Sequence, residues 1–444
     1  MLKKQFLINF FAIAFSIMLA SCAMLPANRS VNSGPEIKEM FPSENININD
    51  LEPYTLAYCW TSALDAFGEP QSDVVIEHGE RYLVISSPTS SPATPVNLGC
   101  HGSKFWYRAY SGGLKWRPSS SELTMLAGYE NRASYFYFVG VDDDLTVINK
   151  RKIRQHRDFF VEPNSIEWSP DGAWLAVDAY DANTYSGSDI WLYNPSTNEA
   201  EQVTHSFSLT SHLGAFGWSP SGDYLAYTHA YTESGVSLIQ LSDSQTFEIT
   251  NLNSKLQEWP FQLGSMIQVS QHGISLDRNA VLHEAFQSYV IQQSPPVWFN
   301  SQFIFVAPSS KDRVSLFIGS MNDPKVTDLL PEFNGIVLMP RMSPHDDKLA
   351  FVHYLGWNRH DYAEISVLDF STMTVTPLVT LLASSDDNRL YISGMDWTPD
   401  GKYLAFSSNH DGESDIYVIS SDGKEWVNLT QNRDGDALSP VWRP

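Results

Sequence analysis

Three observations predict an all-β chain, a β-propeller of four-stranded blades. A Trp-Ser-Pro-Asp-Gly turn recurs along the sequence. Each copy is followed by short apolar and aromatic runs of strand length. The copies return at a spacing of about 50 residues, the size of one propeller blade.

The turn reads Trp168-Ser169-Pro170-Asp171-Gly172, then Trp218-Ser219-Pro220-Ser221-Gly222. It returns as Met342-Ser343-Pro344-His345-Asp346 and Trp397-Thr398-Pro399-Asp400-Gly401. Pro presets the turn's second dihedral, Asp or Ser binds local backbone, and Gly takes the strained position. The Trp or Met ends one strand. A second strand starts at once, at residues 174–177, 224–227, 348–351 and 403–406. A third follows a variable loop, at 189–193, 237–241, 364–368 and 415–419. A polar turn leads to a fourth, outer strand at 202–204, 248–250 and 428–430. Runs of four to six apolar residues between turn signals fit strands buried on both faces. No helix-length pattern interrupts the copies, which argues against βαβ units.

Weaker copies extend the series. Trp116-Arg117-Pro118 precedes strands at 134–141 and 145–149, and Pro296-Val297-Trp298 precedes strands at 303–306 and 315–318. The sequence ends on Ser439-Pro440-Val441-Trp442-Arg443-Pro444, the first strand of a repeat without its remainder. A ring has no free edge only if another segment completes that blade. The expected donor is 74–86, where Val74-Val75-Ile76 and Tyr82-Leu83-Val84-Ile85 flank a turn at His78-Gly79-Glu80. The ring is therefore expected to close by pairing of N-terminal and C-terminal strands, with seven blades. The count becomes eight if 251–293 holds a degenerate blade, and six if the N-terminal hairpin lies outside the ring.

Composition agrees. Of 444 residues 43% are hydrophobic, 13% aromatic and only 18% charged, which is a packed globule rather than a disordered chain. The net charge of −23 repels nucleic acid and anionic headgroups and suits a basic protein partner or cations.

Residues 1–21 read as an export signal. Lys3 and Lys4 form a basic start, residues 6–19 an apolar stretch, and Leu19-Ala20-Ser21 precedes Cys22. Small residues before a Cys at the cut resemble the bacterial lipoprotein lipobox. The resemblance implies acylation of Cys22, and Ala23 after it implies delivery to the periplasmic side of a Gram-negative outer membrane. The membrane is then reached only through the lipid. Residues 22–50, rich in Pro, Ser and Asn, are expected to be a flexible tether, and 51–444 one propeller domain. In an oxidising compartment the remaining Cys59 and Cys100 are expected to pair. A loop of about 40 residues closed in this way is worth roughly 3–4 kcal/mol.

The turn, the Leu-Ala-Phe-type second strand, the Asp-Ile-Tyr third strand and the Leu-Thr ending together resemble the TolB-like, WD-repeat-like propeller repeat. Residues 166–204 and 395–430 match it closely, and 216–250 and 339–379 moderately. The resemblance specifies a fold that serves scaffolds, peptidase lids and lyases alike. Residues 51–113 do not look like the α/β domain that precedes the propeller in TolB itself.

Catalytic motifs are not found. The stretch Gly217-Trp218-Ser219-Pro220-Ser221-Gly222 lacks nucleophile-elbow spacing and lies inside a repeat turn. No P-loop, dinucleotide fingerprint, HExxH or EF-hand run occurs. The acidic run Asp142-Asp143-Asp144 reads as a solvated hairpin turn. One constellation has chemical content. His229 and His353 occupy equivalent positions near the end of the second strands, with Asp178 adjacent to the equivalent position in the first copy. Equivalent positions lie at one height around a propeller axis, so these groups either share a divalent cation or acidic ligand in the central channel, as in oligogalacturonate-lyase-type propellers, or are blade-edge histidines. No other cofactor is expected. The loops between second and third strands are aromatic (Tyr180, Tyr185, Tyr231, Tyr354 and Trp357), as interaction loops on rigid scaffolds are. The sequence therefore points to a lipid-anchored interaction platform or envelope assembly factor with a protein partner. The alternatives are a metal-assisted carbohydrate-active enzyme and a carbohydrate- or peptidoglycan-binding module.

Overall fold

The computed structural model describes residues 39–65, 79–89, 96–97, 114–128, 134–154, 159–181, 188–204, 212–230, 235–241, 245–248, 267–270, 273–276, 294–310, 313–320, 323–355, 361–383, 390–431 and 435–444. The chain is all-β. Among the described residues the single helix is a 3-10 turn, Ile48–Leu51, and no helix is long and apolar enough to cross a membrane.

Among the described residues the strands group into seven four-stranded units and one separate hairpin. In chain order the second unit is Leu114–Trp116, Glu122–Gly128, Ser134–Val141 and Val147–Arg154. The third is Phe159–Trp168, Leu175–Asp181, Ser188–Asn194 and Glu199–Gln202. The fourth is His212–Trp218, Tyr224–Ala230, Gly235–Gln240 and Gln245–Glu248. The fifth is Val297–Phe299, Gln302–Ser310, Arg313–Ser320 and Asp323–Asp328. The sixth is Ile336–Met342, Lys348–Tyr354, Tyr362–Asp369 and Thr374–Leu382, joined to the fifth by one parallel bridge, Val314 to Ile336. The seventh is Ile392–Trp397, Tyr403–Ser408, Asp415–Ser420 and Glu425–Asn428.

The first unit is composite. Its inner strand is the C-terminal Asp436–Trp442, followed outward by Leu56–Asp65, Gly79–Ser86 and Val96–Asn97. The two chain ends do pair, but not as the sequence suggested. The strand against the C-terminus is Leu56–Asp65, with Leu56 opposite Trp442 and Ala57 opposite Val441. Gly79–Ser86 lies one place further out, and residues 74–76 fall outside the described residues. The 56–65 run, Leu-Ala-Tyr-Cys-Trp at its start, is the more apolar segment and puts Leu56, Ala57 and Tyr58 in the core.

The repeat turn does what its residues dictate. Ser169 Oγ donates to Asp171 Oδ1 at 2.5 Å, the amides of Ala173 and Trp174 donate to Asp171 and Ser169 side chains, and Gly172 has φ of 67°. Thr398, Asp400 and Tyr403 repeat the pattern in the seventh unit. The Leu-Thr ending has a role of its own. Thr204 Oγ1 donates to the buried Asp189 at 2.9 Å and accepts the Ile190 amide at 2.8 Å, while Gln202 bonds the other Asp189 oxygen at 3.0 Å. Asp415, Thr430, Ile416 and Asn428 reproduce this arrangement. These Thr residues lie just past the outer strands, which run Glu199–Gln202 and Glu425–Asn428, slightly earlier than expected. A polar latch, added to pairing with the second strand, fixes Asp at the head of the third strand.

Hydrogen bonds also join neighbouring units. Trp116 Nε1 donates to the Val441 carbonyl at 3.4 Å, Trp168 Nε1 to Thr124 at 3.1 Å, and Trp218 Nε1 to the Glu167 carbonyl at 3.1 Å. Trp298 Nε1 reaches the Gly217 carbonyl at 3.0 Å and Trp397 Nε1 the Arg341 carbonyl at 3.0 Å. The Trp442 amide donates to Asp396 at 2.7 Å, from the first unit to the seventh. The fourth and fifth units are therefore direct neighbours. Of 251–293, the described part is a hairpin of Ile267–Ser270 and Gly273–Leu276 that pairs with no other described strand.

The expected tether is shortened at its C-terminal end. Met40 bridges Thr380 on the sixth unit, and Glu44–Asn45 adds in parallel to Glu425–Asn428 of the seventh. Phe41 packs on Trp426 with ring centroids 4.4 Å apart, and Ile46 and Leu51 are buried. Apolar residues spaced among the Ser and Asn hold this strap down. The Asp142-Asp143-Asp144 turn is a hairpin turn, with Asp142 Oδ1 accepting the Thr146 amide at 2.7 Å.

Candidate functional site: a charged mouth among the inner strands

In each unit the residue before the repeat Trp or Met lies near the end of the innermost strand. At this position stand Lys115, Glu167, Gly217, Val297, Arg341, Asp396 and Val441. Four of the seven are charged, in a chain where charged residues are sparse. Lys115 Nζ is bonded to Glu167 Oε1, joining the second unit to the third. Arg341 Nε donates to the Met395 carbonyl at 3.0 Å, joining the sixth to the seventh. Asp396 Oδ2 accepts the Trp442 amide.

These groups feel one another. Burial pushes the Asp396 carboxyl up to about 6, and Lys115 and Arg341 oppose that rise. Burial draws the Arg341 guanidinium below its ordinary value, with Glu167 and Asp396 opposing. Charges from the second, third, sixth and seventh units thus converge. Lys115, Arg341 and Asp396, but not Glu167, line a cavity of about 230 Å3 together with Trp116, Met395 and Trp442. Fixed cations and anions beside two indoles and a thioether suit recognition of an extended segment carrying a charged tip, by ion pairing and stacking.

The residues singled out by sequence lie elsewhere or outside the described residues. His353 is buried in the sixth unit. Its Nε2 lies 2.6 Å from the Asn334 carbonyl, and its ring meets Phe333 and Tyr362 edge-on. His229 has the matching backbone position, opposite Leu213 and Gly235. Asp178 is buried and one residue out of phase with them, so alternation places it on the other face of its sheet. Neither His353 nor Asp178 lines the cavity. Among the described residues no three His, Cys, Asp or Glu side chains are grouped to hold a metal ion.

Tyr354 is not an exposed loop residue. It ends the strand Lys348–Tyr354, packs against the largest core cluster and bonds the backbone of Ile392, and burial raises its phenol. Tyr180 lies on the strand Leu175–Asp181, opposite Phe160 and Ser188. Tyr185, Tyr231, Trp357, Cys22 and Cys100 fall outside the described residues. Cys59 lies on the strand Leu56–Asp65, opposite Leu83 and Leu438.

An all-β chain whose described strands group into four-stranded units, with charged residues near the ends of the inner strands, is thus the class this protein defines. No protein-family model matches it, and no curated protein matches it. Among solved structures it is similar to TolB from Acinetobacter baumannii, at 14% identity over 97% of this chain and 93% of that one, with a TM-score of 0.45. It is also similar to a putative TolB from Agrobacterium tumefaciens, at 13% identity over 74% of this chain and 90% of that one, with a TM-score of 0.41. A third is an oligogalacturonate lyase in complex with manganese, at 13% identity over 71% of each chain, with a TM-score of 0.39. Likeness at this level concerns chain path, and function is not carried over by it.

Proposed function

We propose that the chain is a lipid-anchored, seven-bladed propeller that binds a protein partner of the bacterial envelope through its charged mouth. The observation that carries the reading is the convergence of Lys115, Arg341 and Asp396 from three separate units on one cavity, with Glu167 of a fourth ion-paired to Lys115. The hydrogen bonds between successive units, including first to seventh, support a closed ring. The lipobox at Cys22 and Ala23 supports the periplasmic face of the outer membrane as its place. The aromatic residues Tyr185, Tyr231 and Trp357, expected between second and third strands, extend the contact surface in this reading.

The test is in-cell photo-crosslinking from Lys115, followed by mass spectrometry. One envelope protein is expected, and Arg341→Ala with Asp396→Ala should abolish its capture. Cleavage of a polysaccharide by the purified chain, lost on His229→Ala, would overturn the platform in favour of the lyase reading. Palmitate labelling tests the anchor separately: wild type should label and Cys22→Ser should not.

A further inference from the structure

The charges of the mouth are not equally matched. The Lys115 ammonium is bonded to Glu167, which neutralises it where it stands. Arg341 has no such partner. Its Nε donates to the Met395 carbonyl at 3.0 Å and its Nη1 to the Pro340 carbonyl at 2.9 Å. Neutral oxygens satisfy those donors without cancelling the charge. Nη2 has no hydrogen-bond partner among the described residues. Arg341 and Asp396 line one cavity and attract each other, yet among the described residues no ion pair joins them.

Asp396 is the variable charge. From the second unit it faces Lys115, from the sixth Arg341, and from the first the Trp442 amide, which donates to its Oδ2 at 2.7 Å. Burial holds its carboxyl at about 6, against the pull of that amide, Lys115 and Arg341. Ionised, Asp396 balances Arg341, and the charges of the mouth cancel. Protonated, it leaves Arg341 uncompensated. Arg443 lies 5.8 Å over the Trp116 ring and does not line the cavity.

We infer that the mouth binds a carboxylate of its protein partner, which replaces Asp396 as the counter-charge of Arg341 while Asp396 takes up a proton from solvent. The inference rests on the platform reading above and names the group that the mouth reads. A guanidinium pairs more strongly with a carboxylate than with a neutral acceptor. Two carboxylates sharing a desolvated site cannot both stay ionised, so the entering anion drives the proton onto Asp396. The cavity, about 230 Å3, is smaller than the pockets of about 300–1,000 Å3 that enclose drug-sized ligands, so it takes the tip of a chain. Trp116, Met395 and Trp442 give that tip an apolar wall. The net charge of −23 disfavours anions at long range, so the preference is local to the mouth.

Calorimetric titration of the full chain carrying Cys22→Ser tests the exchange. The probes are acetyl-Gly-Gly-Leu with a free C-terminus, the same peptide amidated, and acetyl-Gly-Glu-Gly amide. The first reports a chain end and the third a side-chain carboxylate, and at least one of them should bind while the amidated peptide does not. Their carboxyls, ordinarily at about 3.5 and 4.3, stay ionised throughout. Binding should be roughly tenfold tighter at about pH 5.5 than at about pH 7.5, because only the protonated mouth is competent. Between these values the heat should vary with the ionisation heat of the buffer, which counts the proton taken up. Asp396→Asn keeps an acceptor for the Trp442 amide. It should bind at the higher pH as tightly as wild type at the lower, with no proton uptake. Arg341→Gln should lose binding at both. Since Arg341 also holds the Met395 carbonyl, the Asp396 variant carries the test if that chain fails to fold. Equal binding of the amidated peptide, no binding, affinity independent of pH, or a retained pH dependence in Asp396→Asn would each overturn the inference. So would binding of oligogalacturonate in place of the peptides. A Lys115 crosslink that persists without any carboxylate preference would overturn it and leave the platform standing. Loss of the crosslink with peptide binding intact would reject the platform reading alone.

Discussion

The third unit is made from one stretch of chain, and the first from both ends of it. The third carries every local device: Trp168, the Ser-Pro-Asp-Gly turn and the Asp189–Thr204 latch. The first shares only the Trp, because its inner strand Asp436–Trp442 and its neighbour Leu56–Asp65 are not consecutive and have no turn to make. The inner-strand Trp is thus tied to the ring position, and the turn to connectivity. A consecutive unit is held by local chemistry at little loop-closure cost. The composite one depends on core burial of Leu56, Ala57, Tyr58 and Trp442 across a long chain separation.

Deleting residues 438–444 is the strongest way to break the comparison. It removes the inner strand of the first unit, exposes the edge of Leu56–Asp65 and empties one side of the mouth. A large fall in urea midpoint and aggregation are expected, and an unchanged melt would show that the composite unit contributes nothing. Next comes Trp168→Ala, which takes a buried indole and its bond to Thr124 from a unit that has all its local devices. A loss of about 3–5 kcal/mol is expected in chemical denaturation. Met342→Ala, at the same position but half-buried, should cost clearly less.

Asp396 probes the joint itself, since it accepts the Trp442 amide. Its carboxyl is raised from 3.8 to about 6 by burial, so the folded chain holds that proton more tightly than the unfolded one. This group therefore subtracts stability as pH rises from about 4 to about 6, and adds no further slope above that. The effect is of the order of 1–3 kcal/mol. Asp396→Asn should flatten this part of the stability–pH curve, and a retained slope would assign it to other carboxylates. Thr204→Val should cost about 1–3 kcal/mol, because Asp189 stays buried with one donor fewer. The smallest contrast is between glycines of the fourth and seventh units, each built from one stretch of chain. Gly401→Ala meets Ser343 Oγ 2.5 Å from the added carbon at φ of 70°, whereas Gly222→Ala, at φ of 78°, finds its nearest neighbour at 3.7 Å. Both pay backbone strain of about 1 kcal/mol or more, and Gly401→Ala should be the worse in a thermal melt.

The architecture was readable wherever chemistry is local. Trp, Pro and Gly at fixed offsets marked the turns, and short continuous apolar runs marked the strands. The partner of the C-terminal strand was assigned to 74–86 because that segment contains a Gly turn. The segment that pairs, Leu56–Asp65, has no punctuation, and its selection depends on which run buries best against Trp442. Residues 40–50 read as a tether by composition, yet Phe41 and Ile46 dock them. The mouth was hidden for another reason. Lys115, Glu167, Arg341 and Asp396 share a repeat position but no residue type, so no motif records them. Aligning the residue before each Trp would have found them.

The turns have one more consequence. The carbonyl of Pro118 lies 3.1 Å from a carbon added at Gly172, Pro170 lies against Gly222, and Ser343 against Gly401. In these three pairs the turn is seated on the turn of the unit before it, in the same sense each time. Such a turn braces the next unit as well as closing its own hairpin, so a side chain added at one of these glycines disturbs two units at once.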